Sequence, residues 1–507
     1  MTPSPSCRAL TSEWAPPIER NISFVGPTQV RFLNQDGSIE TAAQWNNPVR
    51  DKLWLYNLHY FDDLNAGDAA ARDGWHRSLV DRWIAENAPG QGNGWEAYPT
   101  SLRIVNWIKW ALNGTQFEES WRDSLAVQAR WLERRIEWHL LGNHLLANAK
   151  ALVFAGLFFE GPEAERWLSR GFDIYRQQLP EQILADGGHF ERSPMYHAII
   201  LEDILDVLNV ARAFGFEDST LTGSWRTMIE RMQLWLRAMT HPDGQISFFN
   251  DAAFGIAATP GAVDSYARRL GFDAAREQSA TFVNLSDSGY VRLQIDDAVV
   301  IIDVAPIGPD YLPGHAHADT LSFEFSLGLE RVVVNGGTSV YGNGSQRQRE
   351  RSTAAHSTVE IDEENSSEVW SGFRVARRAR VRDLSVCEQP NSVTVTAAHD
   401  GYGRLAGKPI HRRRWTLQAG NLVVTDIIDG RYRRAVARFH LGSGLKIDAN
   451  GKSGTIISPS NRRLGWQASV PASAEASHWH PEFGTDVPTE CLAIVFDGPH
   501  IETVFTW

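Results

Sequence analysis

The spacing of the apolar residues changes once along the chain, and this change constrains the fold more than any other feature. From about Gly74 to Leu270, apolar residues recur every three or four positions, which is the stripe of an amphipathic helix. Near Ser286 the period becomes two, and β-branched segments such as NSVTVTAAHD and NLVVTDIIDG follow. The pattern predicts a multidomain α+β chain, with paired helices first and antiparallel strands in a sandwich or barrel second.

The helical part is interrupted by short segments rich in Gly, Pro or Asn. The segment SLRIVNW carries one apolar stripe and is predicted to be helical. Further helices are predicted over Glu119–His139, Leu145–Phe159, Glu163–Gln178, Met195–Phe214 and Ser224–Met239. Paired helices form a toroid or a solenoid, and no fixed repeat favours the solenoid. We therefore divide the 507 residues into a short N-terminal segment with β pieces (1–50), a toroid domain (51–280) and a β-sandwich domain (281–507), with the second boundary at about residues 272–288.

The net charge limits the kind of partner that the chain can bind. At −12, nucleic acid is not expected, and an anionic substrate would need a local basic surface. Three groups of arginines offer such a surface, although each would also suit a solvated strand face. They are Arg347, Arg349 and Arg351; Arg374, Arg377, Arg378, Arg380 and Arg382; and Arg412, Arg413 and Arg414.

The N-terminal residues and the cysteines bear on where the chain works. The sequence starts without a basic and apolar leader, contains no apolar run of transmembrane length, and carries three cysteines without a CxxC spacing. We expect free thiols, no membrane span and a cytoplasmic location, or a periplasmic or secreted one if a native leader was removed. The oligomeric state is not predicted.

Two polar motifs lie at predicted helix starts. In GNHLLANAK, Asn143 and His144 head a helix, where an amide and an imidazole can donate jointly to an anion and the helix dipole adds to the attraction. The alternative is that Asn143 only caps the helix. In DGGHFERSPMYH, Tyr196 opens a helix near Glu191 and Arg192, and a phenol beside cationic groups can act as an acid or a base. The alternative is a buried, hydrogen-bonded tyrosine.

Two further motifs lie in the β part. An extended strand through PGHAHAD would point His315 and His317 to one face, with Asp319 continuing along it, so both imidazoles can serve one site. His356 could join His317 as half of a metal site, because neutral imidazole binds zinc and similar ions. Asn335 is a weaker oxygen donor than a carboxylate, so these residues leave the metal open.

Together these motifs resemble the heparinase II/III-like superfamily of polysaccharide lyases, which also holds alginate, oligoalginate and glycosaminoglycan lyases. The resemblance keeps its order and spacing through NLHYFDDL, WEAYPTSLRIVNW, GNH, ERSPMYH, GHAHAD, VNGGTSVYG and AAHSTV, and so covers most of the chain. It implies an incomplete (α/α) toroid followed by stacked antiparallel sheets. It also implies β-elimination in a uronate-containing acidic polysaccharide, of glycosaminoglycan or alginate type, giving 4,5-unsaturated uronate ends.

The resemblance also implies roles for single residues. Asn143 and His144 match a pair that neutralises the uronate carboxylate, and Tyr196 matches a tyrosine that protonates the leaving oxygen and often also abstracts the C5 proton. His315 matches a second candidate base. The residues expected to bind substrate are Trp95, Arg103, Glu191, Arg192, Tyr341 and Arg349.

The resemblance implies a metal site as well. His317 and His356 match metal ligands, whereas Asn335 falls where relatives commonly have an aspartate. An amide in place of a carboxylate removes one negative charge, so metal affinity should drop. A single divalent ion, zinc or manganese, is therefore an open expectation.

Two other functions stay open at this point. A glycoside hydrolase acting on acidic glycans would use paired carboxylates, for which Asp186, Glu191, Glu202 and Asp251 are candidates. A non-catalytic glycan-binding or polysaccharide-biosynthesis-associated protein would keep the cleft and lose the chemistry. The residues choose neither the uronate polysaccharide nor between endo and exo action.

Overall fold

The computed structural model describes residues 3–216, 219–274 and 280–507, without the side chains of residues 219–222. The predicted helices are present, with ends that differ by a few residues; α4, for example, ends at Glu133 rather than at His139. The α-helices are α1 Lys52–Tyr60, α2 Asp73–Glu86, α3 Ala97–Leu112, α4 Glu119–Glu133, α5 Gly142–Phe158, α6 Pro162–Gln182, α7 Pro194–Ala213, α8 Ser219–Ala238, α9 Pro260–Arg269 and α10 Ser345–Arg351.

Strands dominate the chain after residue 280, as the change of period predicts. They are β1 Gln29–Phe32, β2 Gln35–Ser38, β3 Phe282–Leu285, β4 Tyr290–Ile295, β5 Ala298–Asp303, β6 Phe323–Leu327, β7 Glu330–Val334, β8 Val359–Ile361, β9 Val369–Trp370, β10 Arg374–Val375, β11 Val381–Gln389, β12 Ser392–His399, β13 Ile410–Gln418, β14 Asn421–Asp429, β15 Ala435–Leu441, β16 Lys446–Asn450, β17 Ser453–Ile457, β18 Arg463–Ala468, β19 Ala472–Trp479, β20 Val487–Phe496 and β21 His500–Thr506. Most of the helices thus precede most of the strands along the chain, as predicted.

Two large antiparallel sheets form the β part. One has eight strands in the order β11-β12-β13-β14-β21-β18-β17-β16, and the other has nine, in the order β19-β20-β15-β7-β6-β5-β4-β3 with β8 paired to β15. Residues buried on strands of both sheets, such as Phe323 and Trp415, belong to one apolar core. In β13 and β14 the residues of one face are buried in this core, which explains why buried residues alternate with more accessible ones along both strands.

The chain divides into two compact units, and the division is not a single cut. Unit 1 comprises Met1–Ile183, Ile199–Glu230 and Gly261–Asp273, and unit 2 comprises Leu184–Ala198, Arg231–Pro260 and Ala274–Trp507. The predicted domains instead meet at one point, near residues 272–288, of which 275–279 lie outside the described residues. Two segments predicted to be part of the helical domain therefore fold with the β part.

Unit 1 has an interior rich in tryptophan and contains a buried charge network. Trp83, Trp107 and Trp121 are fully buried, as expected for tryptophans that pack in a core. The ammonium groups of Lys109 and Lys150 each lie 2.5 Å from the Asp206 carboxylate, which is also buried. Pairing of this kind lets charged groups lie inside the unit. The incomplete (α/α) toroid itself stays a prediction.

No helix in the described part of the chain is both long enough and apolar enough to cross a membrane.

Candidate active site

A buried carboxylate lies at the centre of a polar cluster in unit 2. Asp251 has no exposed surface, and its two oxygens accept hydrogen bonds from His315 Nδ1 and His317 Nε2, each at 2.8 Å. Arg347, also fully buried, pairs with the same carboxylate through both terminal nitrogens of its guanidinium. Thr338 Oγ1 lies 3.3 Å from Oδ1. One acid therefore holds two imidazoles in place.

The charge state of Asp251 follows from these partners. Burial alone would raise its pKa, but the Arg347 charge and the hydrogen bonds from His315 and His317 hold the pKa well below its usual range. An ionised carboxylate only accepts, so each contacting imidazole nitrogen carries its proton. With the proton on Nδ1, the lone pair of the neutral form of this imidazole is on Nε2, on the opposite side of the ring.

Tyr196 lies directly against His315. Their ring centroids are 4.0 Å apart with an angle of 34° between the planes. Tyr196 is in the first turn of α7, as predicted, and its backbone N–H donates to Ser193 Oγ at 3.2 Å. Ser193 Oγ in turn donates to the backbone carbonyl of Asp251 at 2.5 Å. The helix start that carries the phenol is thus fixed to the segment that carries the carboxylate.

A second tyrosine completes this cluster. The hydroxyl oxygens of Tyr196 and Tyr341 are 2.9 Å apart. Burial and the nearby Asp251 charge raise the pKa of Tyr341 well above its usual value, so Tyr341 keeps its proton and can donate it in a hydrogen bond to Tyr196. Negative charge that develops on the Tyr196 oxygen would be stabilised by this donor.

The HxH motif serves one site, but not as a strand. Residues 311–322, which contain His315 and His317, form turns and irregular structure. Both imidazoles still reach the same carboxylate, since Asp251 lies between them. Asp319 does not join that cluster through its side chain, whose Oδ2 accepts from the backbone N–H of Asn250 at 3.1 Å. The two histidines thus share one carboxylate, whereas the predicted strand is wrong because the Gly- and Pro-rich approach to it does not pair.

The three predicted metal ligands are only partly brought together. His317 Nδ1 and His356 Nε2 lie 3.2 Å apart, so one nitrogen donates directly to the other. The side chain of Asn335 is engaged elsewhere: its amide donates to Ser322 Oγ at 3.2 Å, and its oxygen accepts from the Ser357 N–H at 3.1 Å. In the described ranges, no group of three or more His, Cys, Asp or Glu residues is arranged to hold a metal ion. Two imidazoles and a hydrogen-bonded amide do not fit a tightly bound divalent ion.

Asn143 and His144 lie in the first turn of α5 in unit 1, as predicted. His144 is about one-third exposed, and its Nδ1 lies 3.2 Å from Glu137 Oε1. Glu137 Oε2 accepts from the Asn148 amide at 3.0 Å. The Glu137 carboxylate therefore fixes the orientation of the His144 ring. Nε2 of His144 is then the ring nitrogen available to a ligand. The ring also packs on Tyr98, with centroids 4.4 Å apart.

Two of the predicted substrate contacts are buried in unit 1. Arg103 is fully buried in unit 1, where its guanidinium donates to Gln128 Oε1 at 2.9 Å and lies 3.9 Å from the Trp83 ring centroid. Trp95 is 4% exposed, and its Nε1 donates to the Asn87 carbonyl at 3.2 Å. Both side chains therefore serve the packing of unit 1 in this structure, and contact with substrate stays a prediction for them.

The other four predicted substrate contacts lie in unit 2. Arg192 is 8% exposed and donates to the Ser288 carbonyl at 2.9 Å, so its role in this structure is internal. Glu191 Oε2 lies 3.8 Å from His315 Nε2, and Tyr341 contacts Tyr196 as described. Arg349 is exposed. For Glu191, Tyr341 and Arg349, contact with substrate stays a prediction.

The sequence motifs do not reveal the parts played by Asp251 and Arg347. In the sequence, Asp251 stands out only as a candidate hydrolase carboxylate, and Arg347 only as part of a possible basic surface. Both are fully buried, and their pairing joins positions far apart in the sequence. A charged residue within an otherwise apolar stretch, such as Asp251 after ISFFN, is the local signal that could have pointed to a buried ion pair.

Buried imidazoles make the stability of unit 2 sensitive to acid. Burial lowers the pKa of His189, His197, His241, His317, His356, His399, His411 and His440. An unfolded imidazole titrates near about 6.5, so below that pH the unfolded chain binds protons that the folded chain does not. Asp303 and Asp319, whose pKa values burial raises, act in the opposite direction but are outnumbered.

We therefore expect the melting temperature to fall steadily as the pH is lowered from 7 to about 4.5, across the range between the unfolded and folded imidazole pKa values. Circular dichroism melts in buffers of equal ionic strength measure this. A melting temperature that is constant or rises over this range would contradict the assignment of neutral, buried imidazoles.

Comparison with known proteins places this geometry in a family. The heparinase II/III N-terminal model matches residues 83–267, and the heparinase II/III-like C-terminal model matches residues 277–507. A heparin-sulfate lyase of Bacteroides stercoris is 26% identical over 281 residues, which are 49% of this chain and 40% of that protein. A heparin-sulfate lyase of Pedobacter heparinus is 25% identical over 44% of this chain and 36% of that protein. The chain thus aligns with less than half of either lyase.

A third relative is similar over more of its length. FtsZ-localized protein C of Caulobacter vibrioides is 27% identical over 454 residues, which cover 82% of this chain and 74% of that protein. Among solved structures, heparinase III superposes with a TM-score of 0.71 at 17% identity over 94% of this chain and 79% of the other. Heparan sulfate lyase HepC from Pedobacter heparinus superposes with a TM-score of 0.61 at 18% identity, over 93% and 79%. These superpositions show a shared fold. The two matching family models, which together cover most of the chain, establish that it belongs to the heparinase II/III-like superfamily.

Proposed function

We propose that this chain is a polysaccharide lyase that cleaves a uronate-containing glycosaminoglycan by β-elimination and leaves a 4,5-unsaturated uronate end. One observation carries the proposal: the rings of Tyr196 and His315 pack with their centroids 4.0 Å apart, and Asp251 is hydrogen-bonded to Nδ1 of the imidazole. A phenol and an oriented imidazole supply the acid and the base that elimination needs.

The two groups have distinct parts in the proposed reaction. His315 Nε2, which carries the lone pair, takes the proton from C5 of the uronate, and the resulting imidazolium is stabilised by Asp251. The bond from C4 to the glycosidic oxygen breaks, and Tyr196 gives its proton to that leaving oxygen. The hydroxyl of Tyr341, 2.9 Å away, stabilises the charge left on Tyr196. The proton then returns from His315 to Tyr196, which restores both groups.

The C5 proton is only weakly acidic unless the neighbouring carboxylate is neutralised. We propose that Asn143 and His144 donate hydrogen bonds to a uronate carboxylate of the substrate. Their place in the first turn of α5 and the orientation of His144 by Glu137 support this role. Donors of this kind contribute on the order of 3–4 kcal/mol each in comparable oxyanion sites.

Heparan-type glycosaminoglycans are the proposed substrate class, ahead of alginate. The support is that two of the relatives are named heparin-sulfate lyases. The experiment is to incubate the purified chain with heparan sulfate, hyaluronan, chondroitin sulfate and alginate, and to record ultraviolet absorbance from the conjugated double bond. We expect absorbance to grow with heparan sulfate first. Failure with all four polymers, under conditions in which a known lyase is active, would contradict the proposal.

A second candidate function has its own support. FtsZ-localized protein C covers more of this chain than either heparin-sulfate lyase does, and its name describes a location rather than a reaction. A non-catalytic member of the family would bind a glycan without cleaving it. Isothermal titration with a heparan sulfate oligosaccharide separates the two functions, because a binding protein gives heat of binding and unchanged oligosaccharide length.

Hydrolysis by paired carboxylates fits this cluster less well than elimination does. Its general acid must carry a proton, whereas the pKa of Asp251 is held well below its usual range by Arg347. Asp186 accepts from the backbone N–H and the hydroxyl of Ser288 at 2.7 and 2.8 Å, which gives it a structural role. Glu202 lies in unit 1 and pairs with Arg20 at 2.7 Å.

Replacing Asn335 with aspartate tests whether the amide at this position weakens metal binding. We expect the wild-type chain to retain well under one equivalent of zinc or manganese after dialysis, because Asn335 is a weak donor that is already hydrogen-bonded. Asn335→Asp should raise the metal content towards one equivalent, and His356→Ala in that background should remove it again. Metal analysis by mass spectrometry measures this, and a full equivalent on the wild-type chain would contradict the expectation.

A further inference from the structure

A short hairpin next to the catalytic cluster presents side chains that the fold itself does not use. Strands β9 and β10 pair Trp370 with Arg374 and Val369 with Val375. Val369 and Val375 pack inward on Ile307 and Ala316. Directly paired residues of antiparallel strands share a face, so Trp370 and Arg374 project together on the outer face.

The turn of this hairpin is fixed to the catalytic residues by two buried arginines. Arg347, which pairs with Asp251, also donates from Nε to the Gly372 carbonyl at 3.1 Å. Arg351 donates to the carbonyl of Ala316, between the two histidines of HxH, at 2.9 Å and to the carbonyl of Ser371 at 3.0 Å. The hairpin therefore cannot move independently of the cluster.

Glycine is required at the tip of the turn. A Cβ on Gly372 would lie 2.4 Å from the carbonyl oxygen of Gly342, next to Tyr341 in the chain. This close approach sets Phe373 against the catalytic rings, with its centroid 5.2 Å from that of Tyr341 and 6.1 Å from that of His315. Phe373 is nonetheless 42% exposed.

The outer face of the hairpin is both apolar and positively charged. Trp370 is 55% exposed, and Arg374 is exposed as well. Arg377 and Arg378, which follow, pair with Glu368 and Asp310, whereas Arg374 forms no ion pair with any residue that the structure describes. Large exposed aromatic rings beside an uncompensated guanidinium are typical of a binding surface rather than of a solvated strand.

We infer that Phe373, Trp370 and Arg374 form a sugar-binding subsite of unit 2, next to the catalytic cluster. The inference rests on the proposed function. Phe373 and Trp370 offer flat apolar surfaces for the faces of sugar rings, and Arg374 pairs with a carboxylate or sulfate on the residue adjoining the cleaved bond. These residues hold the polysaccharide in position relative to the catalytic cluster and take no part in proton transfer.

The test measures binding and turnover separately in the full chain. Arg374→Gln and Trp370→Ala are compared with Arg414→Gln, which removes an equal charge from an exposed position on β13. Titration calorimetry measures Kd for a heparan sulfate hexasaccharide in variants that also carry Tyr196→Phe. The values of kcat and KM are measured in variants that keep Tyr196. We expect Kd and KM to rise roughly tenfold for each hairpin variant, with kcat within about twofold, and no change for Arg414→Gln.

The outcomes separate this inference from the proposed function. Cleavage by the wild-type chain with hairpin variants that match Arg414→Gln in Kd and KM would overturn the subsite alone. Binding that depends on Arg374 and Trp370, without cleavage by the wild-type chain, would support the subsite and contradict the lyase. No binding of the hexasaccharide would overturn both. Melting curves confirm that the variants are folded, which their exposed positions lead us to expect.

Discussion

Replacing Tyr196 with phenylalanine is expected to abolish turnover while leaving oligosaccharide binding nearly unchanged. The substitution removes only the hydroxyl, which lies 2.9 Å from that of Tyr341, and keeps the ring that packs on His315. Loss of a general acid typically costs about 10²–10⁴-fold in rate. The measurement is the initial rate of unsaturated product formation, with Kd for a heparan sulfate hexasaccharide recorded on the same preparation.

Tyr432→Phe is the matched control, since this tyrosine donates to the Gly498 carbonyl away from the cluster. We expect it to keep the wild-type rate. Activity of Tyr196→Phe within a few-fold of wild type would remove Tyr196 from the mechanism. A loss of binding equal to the loss of rate would show that the hydroxyl acts in the ground state rather than in the transition state.

The second large effect is expected for Asp251→Asn, which should destabilise unit 2 and remove activity together. The amide keeps the shape of the side chain but leaves the buried Arg347 guanidinium without its anion. Removing one partner of a buried ion pair costs about 3–5 kcal/mol. The single amide oxygen can also no longer accept from both His315 and His317, so one of the two imidazoles loses the acceptor that orients it. Urea unfolding and product formation under native conditions measure the two effects.

Asp426→Asn separates stability from chemistry. Asp426 is as buried as Asp251 and is likewise held by an arginine, Arg413, at 2.7 Å and a histidine, His411, at 2.6 Å. We expect it to lower the free energy of unfolding by a similar amount while the folded fraction keeps its activity. Equal loss of activity in both variants would mean that Asp251 has only a structural part, and a stable Asp251→Asn chain would contradict the ion-pair account.

The sequence predicts the order of helices and strands because periodicity is a local property. Helices such as α4 and α6 have an apolar stripe of their own, and strands β13 and β14 alternate residue by residue. The division into units is not local. Segments 184–198 and 231–260 have a helical or irregular pattern, yet they fold with the β part because their contacts lie there. Contacts at long range decide such boundaries, and no window of sequence contains them.

The site shows the same distinction. Motif residues that differ from their surroundings, such as Tyr196 and the two histidines of HxH, are visible in the sequence and do meet in the structure. The position of Arg103 is not visible in this way, because the sequence does not distinguish a buried arginine that stacks on Trp83 from an exposed arginine that binds sulfate. Burial, which decides between these roles, depends on helices elsewhere in the chain.

Elimination is the central step of the proposed reaction, and the mass and spectrum of the product test it directly. Digestion of a heparan sulfate hexasaccharide should give a new non-reducing end that absorbs in the ultraviolet and is lighter by one water than a saturated end. Saturated ends, each carrying an added water and no new absorbance, would show hydrolysis and contradict the account.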